Sequence, residues 1–145
     1  MLNRSFHLEI RTPEKMIFDG DVTSVTAPGV EGNFQILAGH IPFLTALDVG
    51  EIRVNESADT ARHLATSGGV FEVLRTGVTV LVETAEWASD IDVSRAESAL
   101  TRAQEQLTSD APDLNRPQVE AAFARAQNRI KVAGNSAEIS DVSTR

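Results

Sequence analysis

The sequence predicts a mainly β fold with a helical end: an N-terminal antiparallel β-sandwich followed by a C-terminal antiparallel two-helix hairpin. Up to about residue 87, short stretches of alternating apolar and polar residues are separated by turn residues at roughly eight-to-twelve-residue spacing, as in sandwiches and barrels. Beyond residue 88, apolar residues recur at steps of three and four, which is the spacing of one helix face. We therefore expect a sandwich over residues 1–87, a hairpin over residues 88–134 and a flexible tail over residues 135–145.

The composition excludes several classes of protein. The 145 residues carry a formal net charge of −8, which argues against nucleic acid as the main partner. There is no cysteine, so disulfides and thiolate metal sites are excluded. No apolar run approaches the length of a membrane span, and the first residues lack the build of a signal peptide. We therefore expect the protein to stay in the compartment where it is made.

The strands are predicted from alternation and from turn residues. Residues 6–11 alternate apolar and polar side chains, and Pro13 ends this strand because proline cannot donate to a ladder. A second strand begins at Met16, and Asp19-Gly20 predicts a turn. The glycines at positions 68 and 69 suggest a bulge or a close backbone contact. Further strands are predicted at residues 22–27, 34–36, 51–55, 62–66, 70–74 and 78–83.

Two amphipathic helices follow. Asp90 or Asp92 caps the first helix, because a short carboxylate accepts hydrogen bonds from amides of the first turn. The second helix has Asn115 as its cap and Pro117 in its first turn, and it is predicted to stop at Gly134-Asn135. The two apolar stripes consist of Val93, Ala96, Leu100, Ala103, Leu107, Val119, Phe123, Ala126, Ile130 and Ala133. Because alanine buries little area, the hairpin is expected to be only weakly held.

Four arginines of the helical part are candidate anion ligands. Arg95 and Arg102 lie two turns apart on the first helix and share a face. Arg125 and Arg129 lie one turn apart on the second helix, where like charges repel. Either water and salt compensate these charges, or an anion does, and four guanidinium groups across a cleft would suit a polyphosphate. Both interpretations stay open on the residues alone.

The sequence carries no recognisable catalytic centre. His7, His40 and His63 are scattered without metal-ligand spacing, so no metal site is predicted. Nucleophile-elbow, zinc-protease and phosphate-loop motifs do not occur. His40 lies in a turn over residues 39–42, which is either a contact loop or a core-facing turn. The lack of catalytic motifs favours a binding or coupling role.

Several segments taken together resemble the epsilon subunit of F-type ATP synthases, which is called delta in mitochondria. Their order and spacing carry the resemblance, which extends from residue 6 to about residue 133. The segments are residues 6–10, 31–34, 38–44, 67–73 and 78–86. The resemblance implies a sandwich of two antiparallel sheets, a helical hairpin and a place in the central stalk. It also implies a subunit that is not itself an enzyme.

By the same resemblance, the chain couples proton-driven rotation to ATP synthesis and inhibits ATP hydrolysis through its C-terminal helices. Its partners would be the gamma subunit and the ring of c subunits, with alpha and beta contacted when the hairpin is extended. It would lie at the cytoplasmic face of the bacterial inner membrane as a peripheral protein, held there only through the complex. No cofactor is required, although ATP, with or without Mg, is implied as a regulatory ligand.

The resemblance also assigns residues. Some bacterial members bind ATP through an Ile/Leu-Asp-x-x-Arg-Ala motif, which residues 91–96 match. The nucleotide-binding residues that it implies are Glu86, Ile91, Asp92, Arg95, Ala96, Arg102, Arg125 and Arg129. The residues that it implies for contact with the c ring or gamma are Glu31, Asn33, His40, Ile41 and Pro42. Many members carry an acid where Asn33 stands, so a simple salt bridge does not account for that contact here.

Two other functions stay open on the sequence alone. One is a stand-alone adaptor whose sandwich binds some other protein, and co-purification with membrane-bound ATPase activity would separate it from the stalk subunit. The other is a small hydrolase built on the sandwich, which turnover by the isolated chain would support if replacing one carboxylate abolished it.

Overall fold

A computed structural model describes residues 4–109 and 111–143, with side chains described as far as residue 135. The chain forms two compact units that divide between Trp87 and Ala88. The first unit consists of strands, and the second consists of helices.

The first unit contains ten strands within the described residues. They are β1 (Phe6–Arg11), β2 (Met16–Val22), β3 (Ser24–Gly29), β4 (Gly32–Leu37), β5 (Phe43–Leu47), β6 (Gly50–Ser57), β7 (Thr60–Thr66), β8 (Gly69–Leu74), β9 (Gly77–Val82) and β10 (Ala85–Trp87). Hydrogen-bonded neighbours follow the order β10-β7-β6-β3-β5-β8-β9-β1-β2, and β4 pairs with β3. Every pair is antiparallel except β1 with β9, which is parallel.

The sheet folds over on itself, so that strands from its two ends share one core. Phe18 of β2 and Trp87 of β10 lie edge to face, with ring centroids 6.2 Å apart. The Arg62 guanidinium of β7 lies 3.9 Å from the centroid of the Trp87 ring, a cation–π contact. The core side chains are Leu8, Ile10, Phe18, Val22, Val25, Ala27, Ile36, Leu47, Ile52, Val54, Leu64, Phe71, Val73, Val78, Val80 and Val82. The predicted sandwich is therefore confirmed.

The turn predicted at Asp19-Gly20 is wrong. β2 runs through both residues, with Glu9 opposite Asp19 and Leu8 opposite Gly20 on β1. The ladder to β1 supplies backbone hydrogen bonds along the strand, and this tertiary pairing outweighs the local turn preference of Asp-Gly. Two strands that were not predicted, β5 and β10, also form.

The close backbone contact predicted at the paired glycines is confirmed. Gly68 has a φ of +120°, a region that residues with a Cβ rarely adopt. A Cβ on Gly69 would fall on the carbonyl oxygen of Leu81 in the neighbouring strand β9. Glycine at position 69 therefore permits β8 and β9 to pair at this point.

The second unit begins with a short 3₁₀ turn, Ala88–Asp90, followed by α1 (Val93–Thr108) and α2 (Arg116–Ser143), which pack against each other. Asp92 caps α1, because its carboxylate accepts the backbone N–H of Arg95 at 3.1 Å. Asn115 caps α2 by accepting the backbone N–H of Gln118 at 3.3 Å. Of the predicted stripe residues, Ala96, Ala103, Val119 and Ala126 are buried, and most of these are small. The prediction was wrong for Val93, which is exposed at the start of α1, and it missed Val132, which is buried. The small side chains agree with the expectation of a seam that buries little area.

The helix stop predicted at Gly134-Asn135 is wrong, since α2 continues to Ser143. A glycine that ends a helix usually adopts a positive φ, and Gly134 is not one of the glycines that do. Glycine inside a helix costs only about 1 kcal/mol relative to alanine, which is too little to force an end. Of the tail predicted to be flexible, residues 135–143 are helical, and residues 144–145 lie outside the described residues.

Candidate functional site

The outer surface of β5, β8 and β9 presents an aliphatic face made of Leu44, Val70, Leu74 and Leu81. These four side chains are between 41% and 66% exposed. Val70 lies directly opposite Leu81 in the ladder, and Leu44 lies opposite Glu72, diagonal to Val70 and Leu74. Exposed apolar patches are a common feature of protein-binding surfaces, so this face is the candidate functional site of the first unit.

The aliphatic face rests on a rigid aromatic support inside the sandwich. Phe71 alternates with Val70 along β8, so it points to the opposite side of the sheet and is fully buried. Its ring packs edge to face on Phe34 at 4.9 Å between centroids and stacks on Phe43 at 6.4 Å. These contacts join β4, β5 and β8, and they hold the strands of the aliphatic face in place.

The five predicted partner-contact residues lie in two groups. Glu31 and Asn33 stand at the β3–β4 turn and the start of β4, and both are exposed. His40, Ile41 and Pro42 stand in the loop that follows the other end of β4, where Ile41 is 73% exposed. A six-residue strand spans about 20 Å, so the two groups lie at opposite ends of β4.

Within the loop after β4, His40 is held in place by its neighbours. Its Nδ1 lies 2.9 Å from the carbonyl oxygen of Ile41, and its ring lies 5.3 Å from the Phe43 ring. Ile41 itself projects outward, so this turn does not face the core. Of the two interpretations that the sequence allowed for His40, the core-facing turn is wrong, and the contact loop stays a prediction.

The residues of the Ile/Leu-Asp-x-x-Arg-Ala motif have different surroundings. Asp92 is the N-cap of α1, Ile91 and Ala96 are buried, and Arg95 is exposed. The Asp92 carboxylate already accepts one backbone amide, so part of its hydrogen-bonding capacity serves the helix end. The motif therefore has a structural role that does not require a nucleotide.

The remaining predicted nucleotide residues are spread over three elements. Glu86 is half-buried on β10, Arg102 is exposed on α1, and Arg125 and Arg129 lie one turn apart on α2. Arg102 lines a shallow groove whose other lining residues are Ser94, Glu97, Ser98, Thr101 and Glu105. Since all of these belong to α1, this groove does not gather the four arginines predicted to bind a polyphosphate.

The structure also reveals a cluster that the sequence analysis missed. His7 and Glu9 of β1 lie beside Asp19 and Asp21 of β2 on the exposed side of this ladder. His7 Nε2 lies 2.7 Å from Asp19 Oδ1 and 3.8 Å from Glu9 Oε2, and His7 Nδ1 lies 3.2 Å from Asp21 Oδ1. The pattern His-x-Glu followed by Asp-x-Asp was the available signal, but the turn wrongly predicted at Asp19-Gly20 hid it.

The carboxylates around His7 alter its acidity. Its hydrogen bond with Asp21 raises the pKa of the imidazole above its ordinary value, and the negative charge of Asp19 acts in the same direction. Partial desolvation opposes these effects but is outweighed.

Within the described residues, no helix combines the length and apolar character needed to cross a bilayer. The first unit is therefore a sandwich with an exposed aliphatic face, and the second unit is a hairpin of two helices.

The comparisons with known proteins show the family to which the chain belongs. Residues 5–88 match the family model for the beta-sandwich domain of the ATP synthase delta/epsilon chain, and residues 89–134 match the model for its long alpha-helix domain. The chain belongs to the ATP synthase delta/epsilon chain family. That membership confirms the resemblance found in the sequence, and with it the expectation of a subunit that is not itself an enzyme.

Relatives cover almost the whole chain. The ATP synthase epsilon chain of Nitratidesulfovibrio vulgaris is 42% identical over 135 residues, which are 93% of this chain and 100% of that one. The ATP synthase epsilon chain of Geotalea daltonii is 46% identical over 130 residues, covering 89% and 94% of the two chains.

Solved structures agree in fold. A chain in the OSCP/F1/c-ring structure of the Euglena gracilis mitochondrial ATP synthase matches with a TM-score of 0.76 and 25% identity, covering 86% of this chain and 78% of that chain. A chain in the central stalk and c ring of the Tetrahymena thermophila mitochondrial ATP synthase matches with a TM-score of 0.55 and 15% identity, covering 94% and 98%. The second match supports the fold alone.

Proposed function

We propose that this chain is the central-stalk epsilon subunit of a proton-translocating rotary ATP synthase. In this role it fixes the c ring to the gamma subunit, so that rotation of the ring is coupled to ATP synthesis. The single observation that carries the proposal is the aliphatic face of Leu44, Val70, Leu74 and Leu81, which gives the sandwich a surface that could bind the gamma subunit. The sandwich would be peripheral to the bacterial inner membrane, on its cytoplasmic side, and held there only by the complex.

The gamma subunit is the proposed partner of the aliphatic face. A rotor component transmits torque only if its interface does not deform, and the packing of buried Phe71 against the partly buried Phe34 and Phe43 makes these strands stiff. Glu72 is an acidic side chain within this face. It would fix the position of the gamma subunit on the face by pairing with a basic or hydrogen-bonding group of that subunit.

The c ring is the proposed partner of the turn that carries Glu31 and Asn33. This turn lies at the far end of β4 from the loop of His40, Ile41 and Pro42, which we assign to the gamma side. Because Asn33 is uncharged, its contact with the ring would be made by amide hydrogen bonds, and Glu31 would supply the charge.

Binding to the purified gamma subunit tests the proposal. Replacing Leu44 and Val70 together by aspartate places two charges at the centre of the face and should weaken binding by about 2 kcal/mol or more, which is at least about 30-fold in Kd. Met16→Asp, which charges an exposed apolar residue on β2 instead, is the matched control and should bind normally. Equal binding by the double variant and the control would refute the assignment of this face.

We further propose that the helical unit regulates ATP hydrolysis. The buried side chains between its two helices are mostly alanines, so packing stabilises the compact form only weakly. This suits an element that rearranges and, in an extended form, contacts the alpha and beta subunits. ATP, with or without Mg, would bind the compact form through Arg95, Arg102 and the arginines of α2, and would thereby oppose inhibition.

Two measurements test this regulation. Removing all residues after Trp87 should raise ATP hydrolysis by the assembled complex and abolish the dependence of inhibition on ATP concentration. Replacing Arg125 and Arg129 by alanine should weaken nucleotide binding to the isolated subunit, as measured by calorimetry. Unchanged hydrolysis in the first case, or an unchanged nucleotide titration in the second, would contradict the corresponding half of the proposal.

A further inference from the structure

The outer side of the β1–β2 ladder places four ionisable side chains in a two-by-two arrangement. Alternate residues of a strand point to the same side, so His7 and Glu9 share one side of β1, and Asp19 and Asp21 share the same side of β2. The antiparallel register sets His7 opposite Asp21 and Glu9 opposite Asp19. Four potential metal ligands therefore come from two paired strands and not from mobile loops.

We propose that this cluster binds a divalent transition metal ion of the zinc class, with His7 Nε2, Glu9 and Asp19 as its three protein ligands. One ligand atom from each of these residues lies within 4.8 Å of the others. Atoms bound tetrahedrally to zinc at about 2.1 Å are about 3.4 Å apart. The distances of 2.7 Å to Asp19 and 3.8 Å to Glu9 bracket that value, so small side-chain adjustments would complete the site.

Asp21 has a different role in the proposed site. It lies 3.2 Å from His7 Nδ1, on the opposite side of the ring from the atom that would bind the metal. A histidine ligand commonly donates its second ring N–H to a carboxylate, which fixes the tautomer and the orientation of the ring. Asp21 would therefore orient His7 and leave the Nε2 lone pair facing Glu9 and Asp19.

The charge at this position also favours a cation. Three carboxylates surround one imidazole, and one of them, Glu9, also pairs with Arg11, whose Nε lies 3.4 Å from Glu9 Oε1. The other two histidines lack such surroundings, since His63 pairs with one carboxylate and His40 with a backbone carbonyl. One nitrogen ligand with two carboxylate oxygens is a donor set that zinc accepts, with water in its fourth position.

Zinc binding to the metal-free full chain tests the proposal. We expect calorimetry at neutral pH to give one zinc per chain, with an affinity at least tenfold lower in both His7→Gln and Asp19→Asn. Both variants preserve hydrogen-bonding side chains on exposed strand positions, and circular dichroism would verify that each one folds. His40→Gln, at another exposed histidine, is the matched control and should bind zinc as the unmodified chain does.

Cobalt provides an independent readout of the ligand set. Co²⁺ bound in place of zinc should give visible absorption bands that disappear in His7→Gln. No zinc binding by the unmodified chain would mean that the cluster is only a hydrogen-bond network, and equal binding by all four proteins would mean adventitious binding elsewhere. A loss of affinity in His7→Gln without a loss in Asp19→Asn would also overturn the proposed ligand set.

Discussion

Replacing Gly134 by alanine should stabilise the helical unit by about 1 kcal/mol, which is the difference in helix propensity between the two residues. The structure predicts the full gain in stability, because Gly134 lies in the interior of the α2 sequence, is exposed to solvent and does not have a positive φ. A Cβ built at this position meets no atom within 4 Å, so no steric cost is subtracted. A gain of this size changes the ratio of folded to unfolded unit about fivefold.

The assay is urea unfolding followed by circular dichroism at a helical wavelength. Gln127→Ala, at another exposed position of α2, is the control and should change stability by less than half as much, since glutamine is already a good helix former. If Gly134→Ala instead destabilises the unit, the backbone at this position is left-handed, where a Cβ costs about 1–2 kcal/mol. That result would show that α2 ends at Gly134, as the sequence had indicated.

Four further outcomes follow from the structure. Gly69→Ala should destabilise the sandwich by about 3 kcal/mol or more in denaturant titrations, because its Cβ would collide with the backbone of β9, which cannot yield as a side chain can. Phe71→Ala should cost about 3–5 kcal/mol in the same assay, because it empties the centre of the aromatic cluster. Asp92→Ala should lower the stability of the helical unit by about 1 kcal/mol, whereas Asp92→Asn should retain most of the cap, whether or not ATP is present. In metal-free buffer, NMR titration should place the pKa of His7 above its ordinary 6.5, and Asp21→Asn should lower it. Because the folded-state pKa is raised, the stability that His7 contributes should be fully present below pH 6.5 and lost as the pH rises through the raised value.

Much of the sandwich could be predicted because burial on one side of a strand imposes a period of two on the sequence. β1 and β9 both show this period, with Leu8 and Ile10 buried in one and Val78, Val80 and Val82 buried in the other. One error arose where a local preference was opposed by tertiary pairing. Asp19-Gly20 has the composition of a turn but lies in the middle of a ladder.

The candidate sites were less predictable than the fold. The caps at Asp92 and Asn115 depend on contacts within three residues, so a local sequence signal identifies them. The aliphatic face and the His7 cluster depend on which strands become neighbours and in which register, and neither property is visible in any one segment. The family resemblance indicated which residues contact partners. Only the structure shows that Glu31 and Ile41 lie beyond opposite ends of the same strand.

The single parallel pair, β1 with β9, determines when the sandwich can be completed during synthesis. Leu8 pairs with Val78, about 70 positions later, so the N-terminal strand must wait for almost the entire sandwich to leave the ribosome. At typical translation speeds of about 5–20 residues per second, the edge of β1 that pairs with β9 stays unpaired for several seconds. During that interval the backbone groups of β1 that will pair with β9 remain open to other strands, which is the condition under which unfinished sheets aggregate.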